Sequence, residues 1–501
     1  MKRADPRHSI VRKALILNSN NLGQRVVSGA SFTFLGIALR TLLTIGSMAV
    51  LARLLTPADF GYIAMATVVT EFAGLLGSFG LANILVQRRV VTRLQLDTVF
   101  WAALGLGCTI ALMVFGISFA TGWLFGDETI GQLLRFLCLT FILGSLSTVH
   151  EAILARLMRF RTEFYIQICT LAVRAGTAIL LAFLGFGVWS LVAGPLMGAL
   201  AATLLMTLAV RYTPRFRFHG QYLLSTWKTS SSYMGNTVLY YLNMNVDLFL
   251  IGRQFGASPL GYYQNARSLT DEVRGRIAMP LQRVLFPAFS ALQADTARLQ
   301  SSVLRSARLL AAIICPIGIG LSAVAAEIVP VLYGEQWLAM IPILSMLGLS
   351  AALRGSTAIG SPIFNSQNRV DLAFRYNALA TALFVASVVV TMPYGLNAVA
   401  IAIAANSVVS VFIFKVALGL IGLKTRDVMH ILARPMIAAL LMWAVIAGLR
   451  TALTDSELHA ALRLALWVAT GAVTYTLVLH TLSRQYLRDF TELAARLVKR
   501  G

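Results

Sequence analysis

Apolar residues run in blocks of roughly 20 along almost the whole chain, separated by short polar connections. Blocks of that length predict membrane-crossing helices. We count fourteen: Val26–Leu51, Gly61–Val86, Thr98–Thr121, Gln132–Ala155, Phe164–Leu184, Val188–Val210, Trp227–Ile251, Tyr262–Phe289, Val303–Leu332, Ala339–Phe364, Leu372–Met392, Leu396–Leu420, Ile431–Leu449 and Ala460–Leu482. The eighth breaks the rule of apolarity. It carries Arg267, Asp271, Glu272, Arg274 and Arg276 around its middle, followed by Pro280 and Pro287, which are expected to break or bend it. Arg267, Asp271 and Arg274 fall at i, i+4 and i+7 on one helix face, and Glu272 and Arg276 form a second i, i+4 pair. One charge at the bilayer centre costs about 2.5–3.5 kcal/mol even on the lenient insertion scale, so these five are expected to face water or one another.

Composition supports the same class. The 501 residues are 58% hydrophobic and only 12% charged, with a mean hydropathy of +0.76, whereas a soluble domain carries about 25% charged residues. The expected fold is an all-α polytopic membrane protein. The net charge of +22 would suggest nucleic acid in a soluble protein. Here its distribution follows the positive-inside rule, and no nucleic-acid partner is expected. With the N-terminus inside, the cytoplasmic connections hold Arg88/Arg89/Arg93, Arg156/Arg159/Arg161, Arg211/Arg215/Arg217, Arg298/Arg305/Arg308, Arg369/Arg375 and Lys424/Arg426/Arg434. The opposite side holds Arg53, Arg253 and Arg450 at helix ends, against Asp59, Asp127, Glu128, Glu335, Asp455 and Glu457. This segregation predicts an even number of spans with both termini cytoplasmic. Met1–Arg25 is polar and basic, and the first span is too long for a signal peptide, so no cleavage is expected.

An internal repeat is visible. Arg53-Leu-Leu-Thr-Pro-Ala-Asp-Phe-Gly61-Tyr62 aligns with Arg253-Gln-Phe-Gly-Ala-Ser-Pro-Leu-Gly261-Tyr262, an offset of 200. Ala66/Ala266, Thr70/Thr270 and Glu71/Asp271 continue the match. Leu124-Phe-Gly-Asp127 pairs with Leu332-Tyr-Gly-Glu335, Arg159 with Arg369, and Gly185-Phe-Gly187 with Gly395-Leu-Asn397. The spans therefore group as six, six and two, a parallel repeat of two lobes. The expected organisation is a cytoplasmic segment 1–25, an N-lobe 26–211, an inter-lobe linker 212–226, a C-lobe 227–421, two further helices within 422–482 and a basic cytoplasmic tail 483–501.

The polar residues inside spans concentrate in the first hairpin of each repeat. Arg40, with Thr41 and Thr44, lies in the first span and Glu71 in the second. Asn236, Asn243, Asn245 and Asp247 lie in the seventh, and the charged set in the eighth. Two such hairpins would surround a cavity between the lobes. Arg40, Arg267, Arg274 and Arg276 supply guanidinium forks that match phosphate oxygens, and Asn243 suits sugar hydroxyls. Glu71, Asp247, Asp271 and Glu272 offset that charge, as ion-coupling groups or as salt bridges. The alternative that the charges only pair with one another and lock the lobes stays open, and for Arg174 and Arg354 a structural role is as good a reading as a functional one. His150-Glu151 is expected at the water interface near the end of the fourth span. Cys108, Cys138, Cys169 and Cys315 lie in apolar spans without metal or disulfide spacing and read as core residues. No H-E-x-x-H, G-x-S-x-G or Walker motif occurs, so neither an enzyme, a metal nor a cofactor is expected.

Ala52-Arg-Leu-Leu-Thr-Pro-Ala-Asp-Phe-Gly-Tyr62, the Arg156-Leu-Met-Arg-Phe-Arg161 connection and the six-six-two layout resemble the Wzx-type polysaccharide-transporter branch of the multidrug/oligosaccharidyl-lipid/polysaccharide (MOP) flippase superfamily. The resemblance implies two six-helix lobes around a V-shaped central cavity, with two extra C-terminal helices. It implies flipping of undecaprenyl-diphosphate-linked oligosaccharides across the bacterial inner membrane by alternating access, for lipopolysaccharide or exopolysaccharide assembly. The implied partners are that lipid-linked oligosaccharide, membrane lipids, and glycan polymerase and export machinery. The substrate-binding role passes to Arg40, Arg267, Arg274 and Arg276. A drug or metabolite exporter of the same fold, a membrane-embedded glycan polymerase or ligase, and a non-transporting scaffold of a glycan assembly complex are the competing readings. The short outer loops speak against the polymerase, which needs room for an acceptor.

Overall fold

The computed structural model describes residues 39–77, 85–86, 88, 90–220, 241, 244–452, 460–483 and 486, without the side chains of 76, 77, 273, 274 and 276. These residues are helical, with no sheet among them. They fall into two compact units, Met1–Gly261 and Tyr262–Gly501. In the first unit the order is α1 (39–54), α2 (Pro57–Gly77), α3 (Arg93–Ile117), α4 (Thr121–Phe125), α5 (Thr129–Leu137), α6 (Leu139–Arg156), α7 (Phe160–Phe183), α8 (Val188–Val210) and α9 (244–255). Helix α10 (Ala257–Ala291) carries the chain into the second unit. There follow α11 (Thr296–Ala323), α12 (Ala325–Leu332), a 3-10 turn (Glu335–Met340), α13 (Ile341–Ser356), α14 (Gly360–Ser366), α15 (Val370–Thr391), α16 (Leu396–Asn406), α17 (Val408–Gly419), α18 (Thr425–Ala452) and α19 (Ala460–Leu482).

Ten stretches among the described residues are long and apolar enough to cross a membrane, and they coincide with the third to sixth and ninth to fourteenth expected spans. The chain is a multi-pass membrane protein. The first, second and seventh expected spans lie partly outside the described residues. The eighth is a helix of 35 residues that runs on through Pro280 and Pro287, so of the expected break or bend the break does not occur. Several other spans are interrupted instead: the fourth at Cys138, the tenth between Thr357 and Ile359, and the twelfth at Ser407.

The repeat has a structural counterpart in the connections. Gly126 and Gly334 both take positive φ, 77° and 97°. So do Met158 and Asn368, each one residue before the aligned arginine, at 51° and 53°. Each ends one helix and turns the chain into the next, with Arg159 N–H donating to the Leu154 carbonyl and Arg369 N–H to that of Phe364. The aligned tyrosines also act alike. Tyr62 hydrogen-bonds the Asp127 side chain just after Gly126, and Tyr262 donates to the Gln336 carbonyl (3.3 Å) just after Gly334. Asp127 accepts from the Thr129 N–H at 2.8 Å as well; burial pushes its carboxyl up, but these hydrogen bonds outweigh that and hold it below the usual range.

Gly61 and Gly261, which align in the repeat, touch reciprocally. A Cβ on Gly61 would lie 1.8 Å from the Ala257 carbonyl oxygen, and one on Gly261 would lie 1.9 Å from that of Pro57. Pro57 and Ala257 are themselves aligned. The start of α10 therefore crosses the start of α2 at backbone contact, which only glycine permits.

The segment after α8, the start of the expected linker, is fastened to α3. The Tyr212 hydroxyl donates to Asp97 Oδ1 at 2.5 Å, and the Arg215 N–H reaches the same oxygen at 3.3 Å. Trp101 Nε1 donates to the Arg215 carbonyl (2.9 Å), and its ring stacks on Phe216 at 4.5 Å. Burial and the Asp97 bond push the Tyr212 hydroxyl well above its usual range. His150 is buried at this point, contrary to the expected interface position, with its two ring nitrogens 3.1 and 3.2 Å from the carbonyls of Leu146 and Tyr212. Arg156, also buried, donates to the carbonyls of Leu85, Val86 and Arg88, which close the second expected span.

Apolar packing completes each unit. In the first, Leu96, Val99, Phe100 and Ala103 of α3 meet Val149, Ala152 and Ile153 of α6. In the second, α11 presents Val303, Ala307, Leu310, Ile314 and Ile319 to Ala438, Ala439, Met442 and Ile446 of α18, with Trp467 and Tyr475 of α19 beside them. Arg450 grips Glu327 with two bonds of 2.8 and 2.9 Å and donates to the Ala323 carbonyl, closing the end of α11. All four cysteines are free; Cys138 and Cys315 are buried, but Cys169 is exposed and is not a core residue.

Two substitutions test this packing. Gly61→Ala and Gly261→Ala should each lower stability by about 1–3 kcal/mol or more, with the double variant less than additive, because both relieve one crossing. Gly105→Ala in α3, where an added Cβ meets nothing within 4 Å, should be neutral or stabilising; thermal unfolding in detergent reads all four. Asp97→Ala should cost about 2–3 kcal/mol by stranding the Tyr212 hydroxyl and the Arg215 amide, and should speed proteolysis at Arg215 and Arg217.

Candidate functional site

The charged helix α10 keeps the expected pairing. Arg267 Nε lies 3.4 Å from Asp271 Oδ2, one turn on. The arginine side chain is 17% exposed and the aspartate 42%, so the cation is the more sheltered partner. Thr270 Oγ1 donates to the Arg267 carbonyl at 2.8 Å, using its hydroxyl within the helix. The Gln264 side-chain oxygen, on the same face one turn earlier, is buried without a hydrogen-bond partner among the described residues. Glu272 is half-buried and engaged with a neighbour. Arg274 and Arg276 lie on the backbone of this helix, but their side chains fall outside the description.

The first unit holds the other expected residues. Arg40 on α1 is exposed and donates from Nη1 to Gln167 Oε1 of α7 at 3.0 Å. The Gln167 amide passes the contact on, donating to Glu163 Oε1 at 3.0 Å. Thr44 Oγ1 bonds the Arg40 carbonyl at 2.7 Å and so braces the helix turn below it. The guanidinium is thus positioned by a neutral amide, with the carboxylate one residue further away. Among the described residues Arg40 makes no ion pair. Glu71 is exposed on α2, whereas Asp247 on α9 is 4% exposed; both are engaged with neighbours. Nearby, the Tyr241 hydroxyl donates to the Val68 carbonyl at 2.6 Å. Asn243 lies outside the described residues, as does Asn236.

Glu163 and Gln167 were absent from the sequence-derived set. Their signal is the i, i+4 spacing of two polar residues in an apolar span, which becomes a site only once α1 packs beside them. The buried cluster of Asp97, Tyr212, His150 and Arg156 lies at helix ends and binds backbone, so it holds the fold rather than a ligand. Among the described residues no group of three or more His, Cys, Asp or Glu side chains could hold a metal ion. The described residues thus place a cation with neutral support in the first unit and a sheltered cation beside a carboxylate in the second.

Comparison with known proteins places this arrangement in a family. The profile of the polysaccharide biosynthesis protein family matches residues 50–342. The succinoglycan biosynthesis transport protein ExoT of Rhizobium meliloti (strain 1021) is 28% identical over 447 residues, 89% of this chain and 90% of that protein. The lipopolysaccharide biosynthesis protein WzxC of Escherichia coli (strain K12) is 27% identical over 74% of this chain and 76% of its own length. The teichuronic acid biosynthesis protein TuaB of Bacillus subtilis (strain 168) is 24% identical over 96% of this chain and 99% of its own. Among solved structures, the lipid II flippase MurJ in an inward closed conformation superposes with a TM-score of 0.69 at 15% identity, over 92% of this chain and 100% of that one. An inward-facing multidrug resistance MATE transporter of the MOP superfamily reaches 0.60 at 16% identity, over 76% and 94%. The chain therefore belongs to the polysaccharide biosynthesis protein family, and it shares the fold of the MurJ and MATE structures.

Proposed function

We propose that this protein is a flippase that moves undecaprenyl-diphosphate-linked oligosaccharide units across the bacterial inner membrane for surface polysaccharide assembly. The observation that carries the reading is Arg40, an exposed guanidinium within an apolar segment, held by a neutral amide and without an ion pair among the described residues. Such a group retains a full charge and directed donors, and a diphosphate is the natural complement. Relatives named for succinoglycan transport, lipopolysaccharide biosynthesis and teichuronic acid biosynthesis support a glycan cargo, and a neighbour named as a lipid II flippase supports a lipid-linked one.

In this proposal Arg40, Arg267, Arg274, Arg276 and Asn243 bind the sugar-diphosphate head in a cationic cavity while the lipid tail stays in the bilayer. Alternating access then releases the head on the outer side, with both termini cytoplasmic and glycan polymerase and export machinery receiving the product. Glu71 and Asp247 are the carboxylates proposed for ion coupling. Asp271 is better read as a salt bridge, since it lies within 3.4 Å of Arg267, and Glu272 is grouped with it on the same helix. The chain has no ATPase motif, so an ion gradient, the membrane potential or consumption of the product drives the cycle.

The test is complementation of a deletion strain. Surface polysaccharide should be lost and lipid-linked precursor should accumulate on the cytoplasmic side, with rescue by the wild-type gene. Arg40→Ala, Arg274→Ala and Arg276→Ala, at matched membrane levels, should each reduce rescue about tenfold or more, the scale of one lost charge-assisted hydrogen bond. Full rescue by all three would overturn the cationic site. Normal precursor turnover in the deletion would favour the exporter or the scaffold.

A further inference from the structure

Helix α7 carries Glu163, Gln167, Thr170 and Arg174 at i, i+4, i+7 and i+11, a single polar stripe on an otherwise apolar span. The lower half of the stripe is the support of Arg40 described above. The upper half has no role in that arrangement. Thr170 Oγ1 is buried and has no hydrogen-bond partner among the described residues. Arg174 is exposed and, among the described residues, has neither a hydrogen bond nor an ion pair. Its stem lies over Gly198 of α8, where an added Cβ would come within 3.1 Å of Arg174 Cβ and 3.7 Å of the Thr170 carbonyl. The absence of a side chain at Gly198 leaves room for the Cβ and Cγ of Arg174 against α8.

An unpaired guanidinium at this depth is costly, and ionisable groups inside spans mark substrate paths. Gln167 and Arg174 are seven residues apart, about 10 Å along the helix. A diphosphate concentrates its charge on two phosphorus atoms that share one oxygen, and one cation cluster at Arg40 serves it. The second cation, two turns further on, needs a second negative group. Between the two, the Gln167 amide is engaged by Arg40 and Glu163, and the Thr170 hydroxyl is buried, which leaves the two guanidinium groups as the groups that can meet a ligand.

We propose that Arg40 and Arg174 mark the two ends of a glycan-binding stripe on the first unit, in which Arg174 binds a carboxylate-bearing sugar of the lipid-linked unit. Arg174 is then the residue that selects acidic glycans. This rests on the flippase reading above and adds the chemical class of its cargo.

The test uses the full-length protein in lipid nanodiscs and measures binding of three probes: undecaprenyl diphosphate, the same lipid linked to glucose, and the same lipid linked to glucuronate. The wild type should bind all three and prefer the glucuronate probe about tenfold over the glucose probe. Arg174→Gln should erase that preference while leaving undecaprenyl diphosphate binding unchanged. Arg174→Lys, which keeps the charge and most of the stem, should restore part of it. Arg40→Gln should weaken all three probes alike. Equal binding of the two glycosylated probes by the wild type would overturn the proposal, as would an unchanged preference in Arg174→Gln. Loss of undecaprenyl diphosphate binding in Arg174→Gln, with intact thermal unfolding, would assign Arg174 to the diphosphate instead and overturn the selectivity role. A wild type that binds none of the probes would bring down the flippase reading itself, an outcome distinct from the others.

Discussion

Charge inside a hydrocarbon layer has to be solvated by the protein, by water or by a ligand, and the polar architecture of this chain follows from that requirement. The fold answers it in three ways. Arg156 and Arg450 are absorbed into structure by donating to carbonyls at helix ends, groups that also lack partners of their own. Arg267 pairs with Asp271 within one helix. Arg40 is held by a neutral amide, and Arg174 packs its stem against Gly198. The third answer leaves the charge to be solvated by water or an anion.

The repeat shows which parts of the chain are scaffold. Gly126 and Gly334, Met158 and Asn368, Tyr62 and Tyr262, and the reciprocal Gly61 and Gly261 do the same geometric work at aligned positions. Arg267, Arg274 and Arg276 have no basic counterparts at the aligned positions, although Glu71 aligns with Asp271. Thr67 stands where Arg267 would align, and its hydroxyl merely donates to the Ile63 carbonyl. The connecting geometry is thus shared between the halves while these arginines are not.

Most of the fold was legible in the sequence, because a bilayer leaves the backbone little choice. Blocks such as Val188–Val210 and Ala460–Leu482 were readable to the residue, since their polar flanks are sharp. The interruptions at Cys138 and Ser407 were not readable: each leaves hydropathy unchanged, and the neighbouring helices absorb the change of direction. The choice between a break and a bend at Pro280 and Pro287 of α10 was not readable either, and the helix is continuous through both. Proline removes one helical hydrogen bond, and the surrounding turns keep the helix.

The candidate site divides along the same line. The arginines, the i, i+4 partnership of Arg267 with Asp271, and the repeat are local or periodic properties, and the order of residues alone determined them. Tertiary structure decided which partner each polar group takes. Gln167 meets Arg40 across 127 positions, and Tyr212 meets Asp97 across 115. It buried His150 where hydropathy placed it at an interface, and it turned Cys169 outward from an apolar run. Such contacts depend on how helices rotate and cross, which follows from the summed packing of many side chains rather than from the spacing of any few. Hence the sequence determined where charge is carried, and only the folded chain decided which partners those charges take among the described residues.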